Sequence, residues 1–169
     1  MLNIRNGVFE TNSSSVHSFI MLNRDIDIPN YPREDSEVID KETLIVYRSD
    51  LYFDRLFNIL ISPKEKALYA LSAFCKKEGI LDEILSILKS IYPKLNEIKL
   101  CCPLDELLFA IDEQSDGKLA HFLTTNNITL KQFITDNHIV AIIDGDEFCI
   151  FEKLQEVGLI SNTAIVQKG

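Results

Sequence analysis

The chain has no apolar run approaching the ~20 residues that a membrane-spanning helix needs, which excludes a helical integral membrane protein. Its four cysteines, Cys75, Cys101, Cys102 and Cys149, have no C-x-x-C spacing, so neither a zinc ribbon nor a dithiol redox motif is expected. They read as reduced thiols acting as small buried hydrophobes. Basic residues are also scarce, at 17 Lys and Arg against 26 Asp and Glu, a formal net charge of −9. Generic nucleic-acid binding draws its affinity from clustered Lys and Arg, and attraction to anionic membranes has the same source, so neither is expected. Arg5 and Glu10 interrupt the opening, which lacks a signal-peptide core. A cytoplasmic location is the expectation. No internal repeat or low-complexity tract is visible.

What is present is ordinary globular composition: 169 residues, 46% hydrophobic and 25% charged, enough for one core and one domain over 1–169. The excess of acid is uneven. Residues 1–100 hold 13 basic and 15 acidic side chains, whereas 101–169 hold 4 and 11. Such a surface keeps a protein dispersed and can also oppose a basic partner.

Periodicity gives the coarse organisation. Residues 2–10 read as a strand, the polar cluster TNSSS as a loop, and SFIML at 18–22 as a second strand. Residues 23–42, with two prolines and ten charged side chains, read as an exposed connection. TLIVY at 43–47 is a third strand. Ser49 is expected to cap a helix carrying Leu51, Tyr52, Leu56, Ile59 and Leu60 inward.

SPKE at 62–65 forms a capping box with proline at the first helical position, opening a helix with Leu68, Leu71 and Phe74 inward that stops at Gly79. Asp82 opens another, with Ile84, Leu85, Leu88 and Ile91 inward, ending at Pro93. EIKLCC at 97–102 reads as a strand leading into a helix over DELLFAIDE, and a short helix follows Gly117. Thr129 caps LKQFITDN, and HIVAII at 138–143 is the strongest strand, apolar enough to be covered on both faces.

After the DGDE that follows, a hairpin turn competes with a helix carrying Phe148, Phe151, Leu154 and Val157; the helical spacing and Gly158 favour the helix. TAIVQ at 163–167 would be an edge strand. Alternation of strands and helices in the second half predicts an α/β fold, with α+β as the neighbouring class: a mixed, partly parallel sheet of five or six strands with helices packed on it.

The segment ETNSSSVHS, 10–18, holds the highest density of hydrogen-bonding side chains in the chain. Three functions fit that chemistry. Asn12, Ser13, Ser14 and Ser15 can cradle a phosphate with His17 supplying charge or a proton. A serine, Ser14 or Ser15, can be a nucleophile activated by His17 and oriented by Glu10. The loop can instead dock into a partner protein. The structural alternative is a tight turn, which favours the same residue types because their side chains bond nearby backbone. No glycine lies inside the loop, unlike a P-loop.

A second candidate is Asp144, Asp146 and Glu147 at the end of HIVAII, three acids suited to Mg²⁺ or Ca²⁺ or, alternatively, to a turn and a helix N-terminus. Were the first strand parallel to HIVAII, the two candidates would share one rim. His121 and His138 are isolated and read as structural. No cofactor is required by any of these patterns.

The stretch IRNGVFETNSSSVHS, 4–18, resembles the N-terminal signature of small proteins of bacteriophages and prophages of low-GC bacteria, and IDGDEFCIFEKL, 143–154, resembles a segment those proteins carry at a strand end. The resemblance implies a phage context and no particular mechanism. Joined to the acidic balance, it leads to the expectation of a binding protein that inhibits or modulates a bacterial host protein, such as a nuclease of a defence system. The alternative is a nucleotide- or phosphate-binding protein or enzyme using segment 10–18. A virion component, which would self-associate symmetrically, is a third class.

Overall fold

A computed structural model describes residues 16–22, 41–53, 58–103 and 117–144. The expected strands at 2–10 and 163–167, the exposed connection over 23–40, the helix over 105–113, the alternatives after Asp144, and Cys149 lie outside the described residues. Within them the fold is α/β, with helices packed on mixed β structure.

Among the described residues, five strands form two sheets. β1 (Val16–Met21), β5 (Ile139–Asp144) and β3 (Asn58–Leu60) make an antiparallel sheet in the order β1-β5-β3, while β2 (Thr43–Val46) and β4 (Glu97–Leu100) pair in parallel. The helices are α1 (Pro63–Ala73), α2 (Ile80–Lys89), α3 (Lys118–Asn126) and α4 (Leu130–Thr135).

Local sequence explains most boundaries. Ser62 Oγ accepts from the Glu65 N–H at 3.2 Å while Glu65 reaches back to the cap, starting α1 as a capping box. Thr129 and Gln132 repeat the device at α4, with the Gln132 N–H donating to Thr129 Oγ1 at 3.1 Å and the Thr129 N–H to Gln132 Oε1 at 2.8 Å. α1 ends at Ala73 with Phe74 as its C-cap, short of the expected stop at Gly79; Gly79, at φ 73°, instead enters α2, which begins at Ile80, earlier than Asp82. Ile80, Ile84, Ile87 and Leu88 form the buried stripe of α2 at helical spacing.

Two expectations are corrected. In place of the helix proposed from Ser49 to Leu60, the described residues of that stretch form a 3₁₀ turn, Arg48–Leu51, and the strand β3. Leu51 and Leu60 are buried as expected, but Asn58, Ile59 and Leu60 pair with Ile143, Ile142 and Ala141, so strand pairing overrides a short helical pattern. The inward face of α1 is also rotated. Leu71 is buried, yet Leu68 and Phe74 are only partly so, and the deepest positions are Lys66, Ala67, Tyr69 and Ala70. The cause is the position of α1, packed against α2, α4 and the 3₁₀ turn, which covers more than one of its faces.

β5 is the centre of the antiparallel sheet, and Ile139 to Ile143 are all buried, in agreement with its continuous apolar run. Ile139, Ala141 and Ile143 belong to the main core with Leu60, Ala67, Leu71, Leu119, Phe133 and Ile134. Phe19 on β1 joins this layer, stacked on Phe122 at 5.0 Å and edge-on to Tyr69 at 5.8 Å and Phe133 at 6.0 Å.

Candidate functional site

The register of β1 against β5 positions the described residue of each sequence candidate, His17 and Asp144. Val16 faces Asp144 and His17 faces Ile143, so the start of β1 lies beside the end of β5. Ser15 and Gly145 are therefore covalently attached to residues opposite each other across one ladder. The strand expected at 2–10, on whose parallel pairing the shared rim depended, lies outside the described residues; the strand that pairs with β5 is β1, and it runs antiparallel. Glu10, Asn12, Ser13, Ser14, Ser15, Asp146 and Glu147 lie outside the described residues, and Asp144 is described by its backbone alone. Among the described residues no group of three or more His, Cys, Asp or Glu side chains is placed to hold a metal ion.

His17 is the one member of the 10–18 segment whose side chain is described in the core. Alternation along β1 turns it inward with Phe19, and it is 4% exposed. Its Nε2 lies 2.9 Å from the Phe53 carbonyl and its Nδ1 2.8 Å from the Tyr69 hydroxyl. A carbonyl only accepts, so Nε2 carries the proton and donates to Phe53. Nδ1 of the neutral ring then accepts from the Tyr69 O–H. Burial pushes the Tyr69 phenol well above its ordinary range, so the hydroxyl keeps the proton it donates. Phe53 packs edge-on to Tyr69 at 5.2 Å and encloses the pair.

This arrangement can hold β1, the segment entering the 3₁₀ turn's exit, and α1 in fixed relation. It leaves each imidazole nitrogen with a partner inside the protein, so a proton transfer to or from a serine of 13–15 would have to break one of these bonds.

Lys66 is a feature that the sequence reading missed. It is 0% exposed, and its ammonium donates to the carbonyls of Asp136 at 2.6 Å and Ile139 at 3.0 Å, with the Phe133 ring centroid 5.9 Å away. Burial lowers its pKa to about 8, with the Asp136 and Glu65 charges opposing the shift. The available signal was spacing: Lys66 lies three residues before Tyr69 and four before Ala70, on what becomes the buried face. The lysine ties α1 to the turn between α4 and β5.

In that turn the His138 N–H donates to Asp136 Oδ1 at 3.0 Å, and His138 Nδ1 lies 3.5 Å from the same oxygen. His121 is exposed on α3, its Nε2 3.5 Å from Thr125 Oγ1. Cys75 is partly buried and Cys102 buried, but Cys101 is exposed, correcting the expectation that all the cysteines are interior. Cys101 continues the outward alternation of Glu97 and Lys99, which explains its exposure.

No described helix is long and apolar enough to cross a membrane. No protein-family model matches the chain, and neither a curated protein nor a solved structure is similar to it.

Proposed function

We propose that the chain is an acidic binding protein of phage or prophage type, acting in the cytoplasm of a bacterial host, where it inhibits or modulates a host protein. The observation that carries this reading is the placement of His17. With Nε2 on Phe53 and Nδ1 on Tyr69, both imidazole nitrogens are engaged in the core, which favours a binding role for the hydroxyls of segment 10–18 over activation of a serine by His17. Hydroxyl and amide groups are suited to hydrogen bonding across an interface. The net charge of −9 favours a target with a basic surface, for which a defence nuclease with a nucleic-acid channel is the leading class.

The test is capture from bacterial lysate with the tagged full-length chain, comparing wild type with a Ser13→Ala, Ser14→Ala, Ser15→Ala variant and analysing protein and small-molecule content together. His17 is left intact because its removal would disturb the core. A stoichiometric host protein whose capture falls at least about tenfold, a change worth about 1.4 kcal/mol, in the serine variant is the expected outcome. A nucleotide co-purifying without protein would replace this reading with the phosphate-site alternative.

A further inference from the structure

The parallel pair β2–β4 buries one face only. Leu44, Val46 and Ile98 enter the core, whereas Ile45, Glu97 and Lys99 are exposed on the other side, joined beyond the strand ends by Tyr47 and Cys101. Parallel strands are normally covered on both faces, so an open parallel pair is unusual. The open face also carries apolar groups: Ile45, within β2, is 48% exposed and Tyr47, just past its end, 56%. Tyr52 lies nearby in sequence, 39% exposed, beneath the Arg48 guanidinium at 5.6 Å.

We propose that this face is a self-association surface on which a second copy of the chain packs through a two-fold axis. The charges select that occupant. Glu97 and Lys99 are two residues apart on β4 and point to the same side, in register with Thr43 and Ile45 on β2. A two-fold axis between the sheets, perpendicular to the strands and level with Ile98, lays each β4 across the other in the opposite direction.

That operation sets Glu97 over the partner's Lys99 and Lys99 over the partner's Glu97, so the patch is complementary to itself, as a two-fold interface requires. The same step sets Ile45 over the partner's Thr43. Two stacked sheets are about 10 Å apart, a gap that these side chains span. Two four-residue strands make a small interface, and a dimer built on them dissociates on dilution.

The experiment is sedimentation velocity on the full chain from about 10 µM to about 1 mM, the range in which weak dimers form. Four proteins are compared: wild type, Glu97→Lys, Lys99→Glu, and the double exchange Glu97→Lys with Lys99→Glu. Both positions are exposed, so the fold tolerates each change, and the double exchange controls for any that does not. Wild type is expected to pass from monomer to dimer, each single reversal to weaken association at least about tenfold, or about 1.4 kcal/mol, and the double exchange to restore it. A wild-type protein monomeric throughout overturns the proposal. Association unchanged by the single reversals overturns it as well, as does a double exchange that fails to restore the dimer.

Discussion

At the scale of single residues, the informative groups are polar side chains committed to the interior. The Tyr69 hydroxyl supplies a proton to His17 Nδ1 in a site from which water is excluded. Tyr69→Phe keeps the ring contacts with Phe19 and Phe53 and deletes only the donor. A buried acceptor deprived of its donor costs about 1–3 kcal/mol. Urea unfolding should show that loss as a lower midpoint with an unchanged slope.

Lys66 makes a prediction about pH. Its folded pKa of about 8 lies below the ordinary 10.5, so between those values the unfolded chain binds more protons than the folded one, and stability rises with pH. The contribution is fully present above about 10.5 and is lost as pH falls through about 8. Lys66→Met has no such term. Urea unfolding of both proteins across this range should show wild type gaining on the variant by on the order of 3 kcal/mol. Parallel pH profiles would show that the ammonium is not held in the low-dielectric setting described.

At the scale of elements, the caps are the parts whose sequence and structure agree most directly. Thr129→Ala removes the acceptor for the Gln132 N–H at the start of a six-residue helix. Loss of such a cap costs about 1 kcal/mol, and thermal unfolding should reveal it as a fall in Tm of several degrees.

Caps were legible because their chemistry is local: SPKE and Thr129 with Gln132 state their partners within four residues. β5 was legible because its apolar run is continuous. β3 was not, since Asn58, Ile59 and Leu60 become a strand only through Ile143, Ile142 and Ala141, more than eighty positions away in the chain. The candidate site divides along the same line. The density of hydroxyls in 10–18 is plain in the sequence, but the inward orientation of His17 depends on Tyr69 and Phe53, which no local pattern connects to it. Lys66 escaped notice because a lysine among leucines and alanines on a helix ordinarily reads as its solvent side.

At the scale of the whole molecule, charge and surface act together. The excess of acids sets a long-range field, and such a field changes how fast partners meet more than how firmly a packed interface holds. If the chain binds a basic host surface, its association rate constant should fall about tenfold or more as salt rises from low to several times physiological ionic strength, because screening shortens the reach of exposed charges. The dissociation rate should change much less, being governed by contacts already desolvated. Stopped-flow or surface-based kinetics on the captured partner can separate the two constants. A salt-dependent association rate would assign the acidic surface a steering role. A rate indifferent to salt would remove that steering role and place recognition in the hydroxyl-rich segment 10–18.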